Sequence, residues 1–225
     1  SKGSFAEYCS AKEKNLVHKP DNISFSEAAA VPIAGLTALQ ALRKHGRLQA
    51  GDKVLVIGAG GGVGSFAVQL AKLHGATVTA VCSTPKVALV QDLGADIVVD
   101  YTKDDVMEQG KQFDLVVDNA AYRAFWPYRR LLTKNGRYLL VGGSLIRAFQ
   151  LILFSKLIAK GNQQFNMMLA TINQDDLETI RQMLADEEVK PLLGNHYPLS
   201  QLPKAIRYLE EGHATGKVII KMAHV

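Results

Sequence analysis

Cysteine is scarce in this sequence, and its scarcity excludes two kinds of architecture. Cys9 and Cys82 are the only cysteines among 225 residues, so the chain can form neither a disulfide framework nor a four-cysteine zinc site. We therefore expect a reducing compartment and a cytoplasmic protein. The composition, 48% hydrophobic and 21% charged with only 7 prolines, also excludes a disordered or fibrous chain and is typical of a soluble globular protein.

Long apolar runs are missing as well. No stretch approaches the about 20 uninterrupted apolar residues that span a bilayer, and residues 1–4 offer no apolar signal-peptide core. The sequence therefore predicts no transmembrane segment. It also begins without methionine, which favours a processed chain or a piece excised from a longer one.

Acidic residues are absent from residues 119–174, although eight lysines and arginines fall there. This segment predicts either a solvated basic face or a positive field that attracts an anionic cofactor. A membrane surface or a nucleic acid is a further interpretation of the same charge. No nucleic-acid-binding motif accompanies it, so we expect no nucleic-acid partner.

Short β-branched runs alternate with segments of helical spacing, which predicts an α/β fold with right-handed crossovers and a parallel sheet. We interpret residues 50–173 as a dinucleotide-binding domain, residues 1–49 as the end of a second domain with a connecting helix, and residues 174–225 as a last helix and a return to that second domain. The predicted strands cover residues 53–57, 77–81, 97–100, 115–118, 137–142, 163–169 and 217–221. The predicted helices cover residues 26–44 (capped by Ser24 or Ser26 and interrupted near Pro32), 62–74, 85–93, 174–185 and 200–211.

The most informative segment is residues 54–64, where an apolar strand runs directly into a cluster of glycines and then into a helix with an apolar face. A dinucleotide diphosphate needs free backbone N–H groups at a helix N-terminus and glycines that allow close approach. The strict G-x-G-x-x-G spacing fails here, and a flexible surface loop is the alternative interpretation. Because the glycines lie between a strand and a helix, we favour a phosphate-binding turn.

The acidic residue that usually binds the ribose of NAD at the end of the second strand is also missing. No Asp or Glu occurs in residues 75–91, where the chain reads Ser83-Thr84-Pro85-Lys86 instead. Small hydroxyl side chains and a lysine leave room and positive charge for a 2′-phosphate, so we expect NADPH rather than NADH. Lys86 as an ordinary solvated helix residue is the alternative.

Five segments together resemble the medium-chain dehydrogenase/reductase superfamily, specifically its zinc-independent quinone oxidoreductase-like branch. These segments are residues 28–38, the glycine turn, residues 93–96, residues 100–101 and residues 212–220. The resemblance implies a doubly wound, parallel six-stranded Rossmann sheet with remnants of a GroES-like substrate domain. It implies hydride transfer from NADPH to a quinone or an activated enone, and it also implies that the family's front portion is absent from this sequence.

The resemblance further implies a set of cofactor-binding residues. It places the phosphate turn on the glycines around Val63, ligands of the 2′-phosphate on Lys86 and Tyr101, and a residue near the nicotinamide on Thr37. A family arginine falls on His213, which lacks the guanidinium fork and so binds a phosphate less strongly. The expected cofactor-binding set is Gly61, Gly62, Val63, Gly64, Ser83, Lys86, Tyr101, Asn119, Gly142, Gly143 and Thr37.

Two questions stay open: the role of Asn119 and the type of chemistry. Asn119 faces the cofactor or, with Asp118, only caps the next helix. The cysteine that zinc-dependent relatives carry within residues 31–36 is missing, and the six histidines show no metal-binding spacing, so we expect an enzyme without a metal. The rivals are a nucleotide-binding sensor or partner-binding module that lacks turnover, and a metal-dependent alcohol dehydrogenase.

Residues 145–158 are mostly apolar and contain the basic residues Arg147 and Lys156. They predict a core helix or a wall of the active-site cleft, or else a basic amphipathic helix in peripheral contact with a membrane. Residues 163–169 predict the sixth strand, which in this family often pairs edge to edge. The resemblance thus implies a homodimer acting on a small quinone or enone.

Overall fold

A computed structural model describes residues 5–142 and 145–222. Its centre is a six-stranded sheet in the order β3-β2-β1-β4-β5-β6, and every neighbouring pair is parallel. This confirms the doubly wound α/β class. The strands are β1 Lys53–Ile57, β2 Thr77–Cys82, β3 Ile97–Asp100, β4 Phe113–Asp118, β5 Leu132–Leu140 and β6 Gln164–Met167.

The central strand β1 shows why the sheet is buried on both faces. Its residues alternate in direction, so that Val54 and Val56 join one apolar cluster and Leu55 and Ile57 join the other. All four are fully buried. A continuous apolar run is what a strand covered by helices on both sides requires.

Helices cover the two faces unequally. The first face packs against α2 (Pro32–Gln40), α3 (Gly62–Leu73) and α6 (Gln174–Ala185), through residues such as Leu39, Phe66 and Ile180. The second face packs against α5 (Leu145–Ile158) and two short 3-10 helices. The other α-helices of the described residues are α1 Phe25–Ala30, α4 Val87–Asp92 and α7 Leu202–Glu210.

The predicted helix over residues 26–44 is divided as the proline indicated. Ser24, not Ser26, caps α1, Pro32 opens α2, and a π-helical turn follows at Ala41–His45. The missing N–H of proline prevents one continuous helix here.

The expectation that a helix follows each strand is wrong after β3 and β4. Only the 3-10 helices Val106–Glu108 and Trp126–Arg130 lie there. After β4, the Asp118 carboxylate accepts hydrogen bonds from the backbone N–H groups of residues 120 and 121. It therefore closes a turn, and the interpretation of Asp118 as the cap of a following helix is also wrong.

A second, two-stranded sheet joins β7 (Leu193–Pro198) and β8 (Lys217–Lys221) in parallel. Strand β8 matches its prediction, whereas β7 escaped prediction because its sequence, Leu-Gly-Asn-His-Tyr-Pro, contains no β-branched residue. No helix in the described part of the chain is long and apolar enough to cross a membrane.

Candidate functional site

The main crevice lies where the carboxyl ends of β1, β2 and β4 meet. The chain winds outward in opposite directions from β1 and β4, and ligands of open α/β sheets bind at such a switch point. The crevice has a volume of about 770 Å³. Its lining consists of Gly58, Gly60, Gly61, Val81, Cys82, Ser83, Lys86, Tyr101, Asn119, Ala120, Tyr122, Leu209, Glu211, Gly212, His213 and Ala214.

The glycine turn forms the floor of the crevice. Gly58 adopts φ +74°, and its N–H donates to the carbonyl of Val81 at 3.1 Å, which ties the turn to β2. A Cβ on Gly64 would overlap the carbonyl oxygen of Gly58 and lie 2.8 Å from the Cα of Ala59. Only glycine lets α3 begin this close to the strand.

In the described part of the chain, no side chain caps the N–H donors at the start of α3. Its N-cap is Gly61, which has no side chain to cap the helix, so the first N–H groups keep their hydrogen-bonding capacity. Together with the helix dipole, these donors favour an anion at this position.

Two lysine side chains lie across this turn. Lys86 crosses Gly60, because a Cβ built there would lie 2.6 Å from Cδ and 3.0 Å from Cβ of the lysine. Its ammonium donates to the carbonyl of Ala214 at 2.8 Å. The side chain of Lys86 is partly buried and bonded to the last segment of the chain, so it is not freely solvated. Burial lowers its pKa. The side chain of Lys217 crosses Gly62 in the same way, because a Cβ built on Gly62 would collide with Cδ of the lysine and lie 3.1 Å from its Cγ.

Asp100 organises the outer end of the crevice. Its carboxylate accepts hydrogen bonds from the hydroxyl of Thr84 at 2.5 Å and from the N–H and hydroxyl of Thr102 at 3.0 and 2.8 Å. The hydrogen bond from Thr84 lowers the pKa of this carboxyl. These contacts join the loop that carries Ser83 and Lys86 to the loop beside it.

Asn119 presents a polar atom without a partner. Its side-chain N–H donates to the carbonyl of Ile57 at 3.1 Å, while Oδ1 is buried and accepts no hydrogen bond from the described residues. An unpaired buried acceptor is costly to the fold. A ligand that donates an N–H or O–H into the crevice would satisfy it.

The buried carboxylate of Asp118 stabilises the turn that carries Asn119. Its carboxylate accepts from the hydroxyl of Tyr138 at 2.7 Å, as well as from the two N–H groups of the turn. The side chain is fully buried, and burial raises its pKa. Asp118 is therefore a structural support of the turn that carries Asn119 and lies outside the crevice lining.

The structure brings five of the predicted residues together in the crevice lining: Gly61, Ser83, Lys86, Tyr101 and Asn119. Gly62, Val63 and Gly64 follow directly as the first turn of α3. Gly142 lies beyond the end of β5 and against Asn119, since a Cβ on it would lie 2.8 Å from that residue's carbonyl oxygen. Gly143 lies outside the described residues.

Thr37 stands apart from the lining. It is buried within α2, and its hydroxyl donates to the carbonyl of Ile33 at 2.6 Å. That bond to its own helix occupies the hydroxyl proton and leaves the oxygen lone pairs available.

Tyr122, Glu211 and Lys217 lie at or beside the crevice but were not predicted as site residues from the sequence. The ring of Tyr122 lies 5.9 Å from that of Tyr101, and Glu211 adds a carboxylate to the lining. The sequence contained no signal for these contacts, because each joins segments far apart in the chain. Cys82 also lines the crevice, but burial raises the pKa of its thiol to about 11, so it is no nucleophile at neutral pH.

Comparisons with known proteins identify a matching family model and similar sequences. A family model described as "Zinc-binding dehydrogenase" matches residues 93–220. The chain is 36% identical over 230 residues to a chloroplast envelope quinone oxidoreductase homolog of Arabidopsis thaliana, covering 97% of this chain and 69% of the relative. It is 34% identical over 222 residues to the chloroplastic NADPH-dependent alkenal/one oxidoreductase of the same plant, covering 97% of this chain and 53% of that protein.

A solved structure shares the fold. The quinone oxidoreductase of Thermus thermophilus, whose complex with NADPH is also known, superposes with a TM-score of 0.80 at 28% identity, over 97% of this chain and 73% of that one. The chain thus spans between about half and three quarters of these three proteins.

The described residues do not provide a site for the zinc in the family model's description. Within residues 5–142 and 145–222, no three His, Cys, Asp or Glu side chains are grouped to hold a metal ion. The glycine turn, the lysines across it and the unpaired acceptor of Asn119 fit a dinucleotide instead. On its sheet order, its glycine turn and its similarity over nearly its whole length, the chain belongs to the medium-chain dehydrogenase/reductase superfamily, in its quinone oxidoreductase-like branch.

Proposed function

We propose that this chain binds NADPH and transfers a hydride from it to a quinone or an activated enone without a metal. One observation carries the proposal: the glycine turn, Lys86, Tyr101 and Asn119 all meet in a single crevice at the switch point of the sheet. Relatives named for quinone and alkenal/one reduction support the acceptor class.

In this proposal, different groups of residues bind different parts of the cofactor. The diphosphate lies against the N–H groups at the start of α3, where the helix dipole favours negative charge. The 2′-phosphate lies near Lys86, Tyr101, Ser83 and His213. Among these, Lys86 supplies the positive charge of a lysine ammonium.

When bound, the dinucleotide supplies the hydride from its nicotinamide ring. The chain's own contribution is binding and orientation. The free Oδ1 of Asn119 accepts a hydrogen bond from the ligand, and we propose that Gly142 and Thr37 border the nicotinamide end. The described residues contain no metal-ligand cluster to polarise a carbonyl, so we propose acceptors that are already electrophilic.

Two measurements test this function on the purified chain. Fluorescence titration with NADPH and NADH should show binding of both, with the smaller dissociation constant for NADPH. Absorbance at the reduced-nicotinamide band, followed after adding a simple quinone or enone, should show NADPH oxidation. Binding without oxidation of any acceptor would favour a cofactor-binding module without turnover, and no binding of either nucleotide would refute the proposal.

We also propose that the molecule is a homodimer joined at β6. This strand is an edge of the sheet with one neighbour, β5, and an unpaired edge is a template for a second copy. Helix α5 packs beside it and exposes Ile146, Phe149, Ile152 and Leu157. Sedimentation velocity should give twice the chain mass, and liposome flotation tests the alternative that α5 contacts a membrane.

The two thiols suit the cytoplasmic, reducing location that we propose. Cys9 is exposed, Cys82 is buried, and both are free.

A further inference from the structure

Gln40 is a buried polar residue at the end of α2. It is 3% exposed, and its amide pairs with both backbone groups of Thr171, in the segment that follows β6. Nε2 donates to the carbonyl of Thr171 at 2.7 Å, and Oε1 accepts from the N–H of Thr171 at 3.0 Å. A buried amide whose hydrogen bonds are satisfied specifies one arrangement of its partners. These two bonds therefore fix the backbone of residue 171 against α2.

A third hydrogen bond joins Gln40 to the start of α6. Nε2 also donates to the Asp176 carboxylate at 2.8 Å. That carboxylate accepts from the side-chain N–H of Asn173 at 2.7 Å, and Asn173 caps α6 by accepting from the N–H of Asp176 at 2.8 Å. One amide thus connects α2, the segment after β6 and the first turn of α6.

The segment that this amide holds lies at the carboxyl edge of the six-stranded sheet. Met168 is the first residue after β6, and its N–H donates to the carbonyl of Leu140, at the end of β5, at 3.0 Å. Strands β4, β5 and β6 are neighbours in the sheet. Residues 168–171 therefore continue the edge on which Asn119 follows β4.

This edge faces the half of the dinucleotide that lies away from Lys86 and Tyr101. Those two residues come after β2 and β3, on one side of β1. A dinucleotide with its adenosine end there and its diphosphate at the start of α3 extends its nicotinamide half over β4, β5 and β6. Thr37, which we propose borders the nicotinamide, lies three residues before Gln40 and so on the same face of α2.

We infer that Gln40 is a positioning residue for the nicotinamide half of the cofactor, and thereby for hydride transfer. This rests on the proposed function. Gln40 lies outside the crevice lining and acts by holding α2 and residues 168–171 at a fixed separation. Hydride transfer needs the reacting atoms about 3–3.5 Å apart, so a small shift of the groups that orient the ring slows it even where binding is unchanged.

A matched control lies in α3. The amide of Gln69, also buried, pairs with Lys190 in the same way: Nε2 donates to the carbonyl at 2.9 Å, and Oε1 accepts from the N–H at 2.8 Å. Both residues line a surface cavity with Leu93 and Gly94, which precede the amino end of β3. Substitution of Gln69 therefore removes the same kind of bonds at the opposite edge of the sheet.

Q40M and Q69M keep the side-chain length, remove these bonds and test the inference. In single-turnover reactions with a simple quinone or enone, Q40M should slow NADPH oxidation about tenfold or more, whereas Q69M should stay within about twofold of the wild type. NADPH deuterated at the transferred position of nicotinamide C4 should keep or increase its isotope effect in Q40M, which assigns the loss to the hydride step. Binding of adenosine 2′,5′-bisphosphate, which lacks nicotinamide, should not change in either variant.

Thermal unfolding verifies that each variant is folded, and a second pair of variants serves if Q40M is not. Q40E keeps the acceptor for the N–H of Thr171, but it loses the donor and places a second carboxylate beside Asp176, so it should be slow. Adding D176N gives that carboxylate an amide donor and should recover part of the rate. A wild-type rate in folded Q40M or Q40E, or an equal loss in Q69M, overturns the inference.

The fluorescence of bound NADPH separates this inference from the proposed function. If the wild type binds NADPH but reduces no acceptor, the proposed hydride transfer falls, and the lifetime of the bound nicotinamide emission tests the inference instead. That lifetime should shorten in Q40M and not in Q69M, and equal lifetimes in the two variants would overturn the positioning role. If the wild type does not bind NADPH, both fall.

Discussion

At the residue scale, neighbouring glycines of the turn have different requirements. The Cβ of an alanine at position 64 would overlap backbone atoms of Gly58 and Ala59, whereas at position 62 it would meet only the flexible side chain of Lys217. Backbone atoms between a strand and a helix cannot move aside, but a lysine stem can.

We therefore predict that G64A lowers the free energy of unfolding by about 1–3 kcal/mol, the usual effect of overpacking. G62A should change it by less than about 1 kcal/mol, because only the lysine stem shifts and alanine favours the helix. Urea denaturation of both variants measures the difference. Equal stability of the two would contradict the assignment of Gly64 to the contact between α3 and the turn.

Asp118 gives a prediction for pH. Because burial raises its pKa in the folded protein, its stabilising contribution is fully present below the usual aspartate pKa and is lost as pH rises through the folded value. D118N cannot titrate and retains an acceptor for the turn N–H groups. The stability of D118N relative to wild type should therefore increase from acid to neutral pH, as measured by urea denaturation across that range. A constant difference would show that Asp118 does not titrate differently on folding.

Glu211 allows a test of the proposed preference for NADPH. Its carboxylate shares the lining with Lys86 and His213 and repels a 2′-phosphate, which NADH lacks. E211Q should tighten NADPH binding about two- to fivefold, the range of an exposed charge interaction, with little change for NADH. The ratio of the two dissociation constants reports this directly, and E210Q, one residue earlier, is the control. A ratio that stays the same in E211Q would place the carboxylate away from the phosphate.

The sequence predicts some of these residues and not others for a physical reason. Lys86 lies in the segment after β2 and Asn119 directly follows β4. The carboxyl ends of parallel strands meet at one edge of the sheet. Tyr122 reaches the same crevice through an irregular turn and Glu211 through a helix end. Lys217 reaches the neighbouring start of α3 from the second sheet. Their positions depend on tertiary packing that no local pattern encodes.

At the element scale, α1 depends on its cap. The hydroxyl of Ser24 accepts from the N–H of Glu27 at 3.2 Å, and the Glu27 carboxylate accepts from the N–H and hydroxyl of Ser24, each at 2.7 Å. The serine hydroxyl lowers the pKa of Glu27. The contribution of this capping box is present above the usual glutamate pKa and is lost as pH falls through the lowered value.

S24A should lower the free energy of unfolding by about 1 kcal/mol at neutral pH, with a smaller loss in acid. S26A, two residues later and outside the cap, should have little effect. Chemical denaturation at two pH values compares the variants. Equal losses for S24A and S26A would assign the helix start to packing rather than to capping.

Elements with strong local signals are those that the sequence predicts well. β1, β3 and β8 consist largely of β-branched and other apolar residues, and their predicted bounds match. β7 depends on its pairing with β8, and the segment after β4 is turned by Asp118 and by Pro127 in a 3-10 helix. These features come from long-range pairing and from side-chain bonds to the backbone, which hydrophobic periodicity does not reveal.

At the scale of the whole molecule, the second sheet is attached to the first through the candidate site. The bond from Gly216 to Gly60 and the bond from Lys86 to Ala214 both join the last segment of the chain to the glycine turn and the loop after β2. A cofactor in the crevice would contact both parts at once. Its binding should therefore stabilise the folded chain as a unit.

We predict that NADPH at about 100 times its dissociation constant adds about 2.7 kcal/mol to the free energy of unfolding, which corresponds to a rise in Tm of about 5–10 °C for a chain of this size. NADH at the same concentration should raise Tm less, because it lacks the phosphate that we propose Lys86 binds, and adenosine should have almost no effect. Differential scanning calorimetry with each ligand measures the shifts. In K86M the NADPH and NADH shifts should become equal, and an undiminished NADPH advantage there would show that another group recognises the 2′-phosphate.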